Sequence, residues 1–157
     1  DGHYQATIKG EIVHLKMRDQ QKPRKEKNHY FLNNGSPHHI EFVKDAEHAP
    51  VFSRGSEIRY SDSYTPDGTN VNFVEIKNNT LFVRTYERGV EDETLSCGTG
   101  ITASALAAVA EGLSSPIAIE AKGGKLEVTF EQKNDQSFEN IWLIGPAKLV
   151  YQGQVNI

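Results

Sequence analysis

The run from Gly98 to Ala110 leaves this chain few ways to fold. It carries Ile101, Leu106, Val109 and five alanines, so a helix built from it is apolar on almost every side. Such a helix has to be buried, which means the other elements wrap around it. At a rise of ~1.5 Å per residue it spans about 20 Å, too short to cross a membrane. Directly before it stands Cys97, the only cysteine of the chain. The opening turn, Gly98-Thr99-Gly100, presents backbone N–H groups with no intrahelical partner. An end of this kind draws anions and favours a thiolate over a thiol.

A buried cysteine is more often a small apolar filler than a reagent. Core filler, however, has no need of Glu87-Arg88 at a strand end, of the acidic turn Glu91-Asp92-Glu93, or of two glycines beside the sulfur. Glycines at a helix start cost stability and persist where something must approach the backbone closely.

Strand patterns surround the helix. Tyr4 to Ile8 and Ile12 to Met17 alternate apolar and polar residues around Gly10, as a strand pair does. Lys16 to Asn28 is charged and reads as a loop. Tyr30 to Leu32 is a short strand entering the turn formers Asn33-Asn34-Gly35-Ser36-Pro37, and His38 to Val43 is the next strand. Pro50 opens a short amphipathic helix through Tyr60, weakened by Gly55; Asp62 to Thr69 is a loop. Asn72 to Ile76 and Leu81 to Arg88 form a hairpin across Lys77-Asn78-Asn79-Thr80. Beyond the helix lie strands at Ile117 to Ala121, Leu126 to Glu131, Ile141 to Ile144 and Lys148 to Tyr151. Turns at Gly123-Gly124, Asn134-Asp135 and Gly145-Pro146 separate them. The pattern predicts an α+β class: a mixed, mostly antiparallel sheet wrapped around one long buried central helix, without βαβ winding.

At 157 residues the chain suits one domain. Its 17 basic and 21 acidic residues, net charge −4, form no basic stripe, so a nucleic-acid partner is not expected. No apolar run reaches about 18 residues, and neither a membrane partner nor a secretory leader is indicated. A single cysteine forms no internal disulfide, which points to a reducing, cytoplasmic setting. The Asn78-Asn79-Thr80 sequon is read as chance. The sequence opens in mid-pattern at Asp1-Gly2, and is expected to be a piece of a longer protein.

Several chemistries can be weighed against these residues. Gly98-Thr99-Gly100-Ile101 lacks the lysine of a phosphate loop, and Ala103 stands where a cysteine phosphatase needs an arginine. The six histidines form no i, i+4 helical pair, and adjacent His38 and His39 point to opposite faces of a strand, so no metal is expected. A thiol hydrolase with Cys97 as nucleophile and His38 or His39 as base remains a competitor. Proton transfer at carbon fits more of the residues. A Cys97 thiolate removes a proton alpha to a carboxylate held by helix N–H groups, while Arg88 grips a second carboxylate. Taken alone, Glu87-Arg88 would read as a surface ion pair.

Four segments carry a resemblance: Gly35-Ser-Pro-His38, Gly68-Thr-Asn70-Val-Asn-Phe73, Arg84-Thr-Tyr-Glu87-Arg88-Gly89, and Glu93-Thr-Leu-Ser-Cys97-Gly-Thr-Gly100. Together they resemble the diaminopimelate epimerase family, over a stretch like its C-terminal half. The resemblance implies a cofactor-independent isomerase of lysine biosynthesis, interconverting LL- and meso-diaminopimelate. Its fold would be two pseudo-symmetric halves, each a sheet around a central helix, with one catalytic cysteine from each. Carried over by position, Cys97 is the acid/base thiol of this half and His38 a histidine near the reacting thiols. Gly98 and Thr99 hold the reacting carboxylate through their N–H groups. Asn70, Glu87 and Arg88 contact substrate, Arg88 at the distal end. Ser36 stands where many relatives carry a substrate-binding asparagine.

The second thiol is absent from this chain, so the resemblance implies a missing N-terminal half as partner and no turnover without it. A related racemase of the same fold is the alternative isomerase, and a second copy of the chain is a further candidate partner. On this reading residues 1–17 are strands of the missing half and its crossover, 18–145 the C-terminal domain, and 146–157 a return strand. The segments around Ile8, Val13, Val150, Tyr151, Val155 and Ile157 are then expected to lack partners.

Overall fold

In the computed structural model, residues 4–134 and 136–155 are described. The chain begins with β1 (Ala6–Lys9) and β2 (Ile12–Lys16), a hairpin turned at Gly10, whose φ of 63° favours glycine. The charged loop that follows holds a two-residue strand, β3 (Arg24–Lys25), which precedes β4 (Tyr30–Asn33) and β5 (Pro37–Phe42). Pro50 then caps α1 (Val51–Arg59), where a missing N–H costs nothing. A single 3-10 turn, Asp62–Tyr64, leads to β6 (Asn70–Lys77). Asn78 and Asn79, both left-handed at φ 51° and 59°, close a two-residue hairpin onto β7 (Thr80–Glu87). After β8 (Asp92–Thr94) comes α2 (Gly98–Ala108), then β9 (Ile117–Ala121), β10 (Gly124–Gln132) and β11 (Phe138–Pro146).

One sheet contains every strand, in the order β1-β2-β11-β10-β9-β7-β6-β5-β4-β3, with β8 paired to β7. Two neighbouring pairs, β5–β6 and β7–β9, are parallel and the rest antiparallel. The α+β class, with a mixed sheet around one buried helix, therefore holds. Its connections differ from expectation, because α1 and α2 are each the crossover of a parallel pair, so two βαβ units lie inside the sheet. Parallel neighbours need such crossovers, since no tight turn can join them.

Helix α2 packs against β4, β5, β6, β7, β9, β10 and β11, strands from both halves of the sheet order. Its residues from Gly100 through Ala108 are all buried. Ile101 and Leu106 meet Ile40, Val74, Leu81, Val83, Ile117, Ile119, Val128 and Ile141 there. Burying side chains of this size stabilises by about 1.5–3 kcal/mol each. The buried hydroxyls on α2 are satisfied within it, Thr102 on the Gly98 carbonyl and Ser104 on that of Gly100. The helix stops sooner than Ala110: Val109–Glu111 tightens into a 3-10 turn, ended by Gly112 at φ 96°. On the opposite face of the sheet, Val51 and Ile58 of α1 cover Val71, Phe73 and Tyr86.

Gly55, read as a weak point of α1, is a packing requirement, since a Cβ there would lie 2.5 Å from that of Tyr86. At the chain's end β11 runs straight through Gly145-Pro146, where a turn was expected, and Lys148 to Tyr151 form no strand. Val150, Tyr151 and Val155 are exposed and in no strand, whereas Ile8, also exposed, is paired in the β1–β2 ladder. Val13 also has partners: it pairs with Ile8 on one side and Gly145 on the other, placing β2 inside the sheet. Asp135 of the expected Asn134-Asp135 turn and Ile157 lie outside the described residues.

Candidate active site

Along the sheet face that meets α2, side chains change character from one end to the other. Ile40, Val74, Leu81 and Val83 are apolar and lie along the helix. Farther along the same face, towards the N-terminus of α2, stand His38, Asn70, Asn72, Thr85 and Glu87, each an even number of residues from the apolar set. A polar layer this deep survives burial only if its donors and acceptors are paired.

Thr85, Asn72 and His38 are paired in a connected series. Thr85 Oγ1 donates to Asn72 Oδ1 at 3.0 Å. Asn72 Nδ2 donates to the His39 carbonyl at 3.0 Å and lies 3.2 Å from His38 Nδ1. His38 Nε2 is 2.9 Å from Thr99 Oγ1, which is 3.5 Å from Cys97 Sγ. Gly100 fits between these groups because it has no side chain: a Cβ would lie 2.4 Å from Asn72 Oδ1 and 3.3 Å from His38 Cε1.

Cys97 is the N-cap of α2, with extended backbone at φ −116° and ψ 109°. The first intrahelical bond runs from Ile101 N to the Cys97 carbonyl, so the N–H groups of Gly98, Thr99 and Gly100 all precede the helical ladder. Cys97 is 8% exposed at this mouth, neither open nor remote from it. Burial raises its pKa above the ordinary thiol value, and the Glu87 carboxylate adds to the rise. Hydrogen bonds from Thr99 and from the Gly100 and Thr99 N–H groups oppose it. The sequence had suggested a helix end acidifying the thiol; in this chain desolvation outweighs the helix. His38 is wholly buried and held neutral, its pKa lowered to about 3 by burial first and by the Arg88 charge second.

The other candidate residues gather at the same end. Asn70 Nδ2 donates to Ser36 Oγ at 2.8 Å and to the Pro37 carbonyl at 2.9 Å, while its Oδ1 accepts from Arg88 N at 2.9 Å. Asn70 thus bolts the Ser36-Pro37 turn to the end of β7, and its amide protons are both engaged. Arg88 Nη1 donates to the Asp67 carbonyl at 3.3 Å, leaving most of its donors for other partners. Behind the turn after Arg88, the Glu91 carboxylate accepts from Gly89 N, Arg59 and Tyr60. Asn34, Asn72 and Thr85 belong to this assembly although sequence reasoning gave them no role, and Gly100, read there as a glycine kept for close approach, joins them. Asn34 Nδ2 donates to the Thr99 carbonyl at 2.8 Å. For Asn72 a signal existed: with Asn70 it places two amides on one face of a strand, a face that continues with Val74 and Ile76.

The described cavities lie away from this chemistry. One of about 210 Å³ sits at the C-terminal end of α2 against Tyr30, Leu106 and Phe138, and one of about 600 Å³ lies beside α1 against His29, His39 and Tyr64. Among the described residues no three His, Cys, Asp or Glu side chains are placed to hold a metal, and no helix is long and apolar enough to cross a membrane.

Comparison with known proteins adds independent information. Residues 30–150 match the family model described as diaminopimelate epimerase. A diaminopimelate epimerase of Flavobacterium psychrophilum is 49% identical over 156 residues, covering 97% of this chain and 60% of that protein. One of Chlorobaculum tepidum is 43% identical over 134 residues, covering 83% of this chain and 51% of that protein. The chain thus spans about half the length of these relatives. In fold it is similar to a "probable proline racemase" of Agrobacterium radiobacter with bound carbonate (TM-score 0.71, 16% identity, 97% of this chain and 56% of that one). It is also similar to a hydroxyproline epimerase of Agrobacterium vitis with bound trans-4-hydroxy-L-proline (TM-score 0.61, 15% identity, 91% of this chain and 52% of that one).

Proposed function

Since this chain belongs to the diaminopimelate epimerase family, we propose that it supplies one of two acid/base thiols that epimerise diaminopimelate in lysine biosynthesis. Cys97 is that thiol. As a thiolate it takes the proton alpha to the substrate carboxylate, and on the reverse pass it returns one as a thiol. A single group cannot invert the centre, because the departing and arriving protons use opposite faces. The second thiol comes from the part of the longer relatives that this chain does not span. The reaction needs no cofactor, and its free thiols suit a reducing cytoplasm.

The observation that carries this reading is the seat of Cys97 at the mouth of a buried helix, ahead of the first intrahelical bond. In this reading the backbone N–H groups of Gly98 and Thr99 receive the carboxylate of the reacting centre, whose charge grows as the alpha proton leaves. Desolvation and Glu87 hold the thiol pKa up, which makes the thiolate, once formed, a stronger base. Arg88 binds the distal carboxylate, matching its planar fork to two oxygens. In this reading Asn70, Glu87 and Ser36 also contact substrate. The hydrolase alternative finds less support: His38 Nδ1 and Nε2 are both engaged, with Asn72 and Thr99, and His39 faces the other side of β5, against His29 and Tyr64.

The test is alpha-proton exchange in deuterated water, followed by proton NMR of diaminopimelate. The chain alone is expected to exchange no faster than buffer. Joined to the complementary segment of its longer relatives it should exchange and epimerise, and Cys97→Ala should abolish both. Brisk exchange by the chain alone, or full activity without Cys97, overturns the proposal.

A further inference from the structure

We propose that Asn72 is a positioning residue: it selects the tautomer of His38 and, through Thr99, turns a hydroxyl proton onto the sulfur of Cys97. The inference rests on Cys97 being the acid/base thiol.

Each link follows from what the groups can donate. The His39 carbonyl only accepts, so the Asn72 atom 3.0 Å from it is the amide nitrogen. Thr85 Oγ1 at 3.0 Å from the Asn72 oxygen agrees with that orientation, since a hydroxyl can donate there. The second amide proton then points at His38 Nδ1, 3.2 Å away, which has to offer a lone pair. A neutral imidazole has one ring proton, so it sits on Nε2 and is donated to Thr99 Oγ1 at 2.9 Å. Having accepted there, Thr99 has its own proton to give, and Cys97 Sγ lies 3.5 Å away. The other tautomer would set an Nδ1 proton against the two protons of the amide. Asn72 is wholly buried and touches neither thiol nor helix-mouth N–H groups in this series, so its effect is transmitted.

Two charged side chains bear on the series, both from the end of β7: Glu87 faces the sulfur and opposes its ionisation, and Arg88 faces His38. A hydroxyl proton directed at the sulfur offsets part of the Glu87 effect. Remove Asn72, and His38 is free to carry its proton on Nδ1, with Nε2 then accepting from Thr99. The hydroxyl proton leaves the sulfur.

Two measurements on the chain test this without substrate. In the native chain, nitrogen-15 shifts of the His38 ring should show the proton on Nε2; a proton on Nδ1 overturns the proposal. Iodoacetamide labelling of Cys97 at neutral pH should slow roughly tenfold in Asn72→Leu and in Thr99→Val, the loss of one hydrogen bond to a charged group. The double variant should slow no further, as expected of members of one series. Thr99→Ser should label at the native rate, because it keeps the hydroxyl. If Asn72→Leu does not fold, the native tautomer and the Val/Ser pair decide. Native-rate labelling in Thr99→Val, or additive losses in the double variant, overturns the inference. Since no readout involves epimerisation, its failure leaves the reaction assignment untouched and is distinguishable from failure of that assignment.

Discussion

A methyl group at position 100 is the smallest change that should undo this site. Gly to Ala inside a helix normally stabilises by about 0.5–1 kcal/mol. Here the added carbon would lie 2.4 Å from Asn72 Oδ1 and 3.4 Å from Cys97 Cβ, with buried groups that have nowhere to go. Gly100→Ala is therefore expected to destabilise by about 1–3 kcal/mol, read from urea unfolding, and to alter Cys97 labelling. Gly98→Ala is the control, since its new carbon meets only the movable end of Leu143 at 3.0 Å. At this scale the sequence was legible where chemistry is spelled out locally. Cys97, the glycines after it and the Glu87-Arg88 pair share one stretch of chain and can be read together. Thr85 and Asn34 act across strands, from positions whose meaning depends on register, and no local spacing announces them; Asn72 had only its spacing from Asn70 as a signal. The sign of the Cys97 shift was illegible for the same reason. It is set by burial under distant segments, not by the helix end alone.

Elements were most legible where a turn dictates the connection. Asn78 and Asn79 both hold positive φ, so the hairpin between β6 and β7 is written in its loop. Asn79→Gly should relieve the left-handed cost at the second position and raise the urea midpoint, corresponding to roughly 0.5–1 kcal/mol. Gly55→Ala on α1 should do the opposite despite its helical setting, because Tyr86 occupies the space. An unfolding midpoint that rises in both would show that propensity, not packing, governs α1. The two parallel crossovers were not legible. A strand's partner and direction are chosen by long-range packing, and α1 has too few buried residues to advertise itself as a sheet-covering helix. The expected strand at Lys148 to Tyr151 has strand-like residues, yet it finds no backbone to pair with among the described residues. Apolar composition alone does not make a strand.

For the whole molecule, the buried histidines link fold to pH. His38 and His39 lie on opposite faces of β5, the first under α2 and the second stacked on His29 at 3.9 Å between ring centres. Burial is the main cause that lowers both to about 3. For His39 the neighbouring His29 and Arg54 add to it, and for His38 Arg88 does. In the unfolded chain each titrates near about 6.5. The folded state therefore binds fewer protons, and the stabilisation is complete above the unfolded value. It drains away as pH falls from there towards 3. At pH 5 each histidine should have cost about 2 kcal/mol relative to neutral pH. Burial also lowers His29, which adds to the fall in the same direction, and the raised Cys97 thiol acts only at the alkaline end, where its contribution is lost as pH rises. Urea unfolding at pH 7 and pH 5 should show the midpoint falling. His39→Gln, which removes one titrating group, should reduce that fall by about 2 kcal/mol. A midpoint that does not move between the two pH values would mean that His38 takes up a proton without leaving its place. That would remove the neutral ring on which the contact with Thr99 depends.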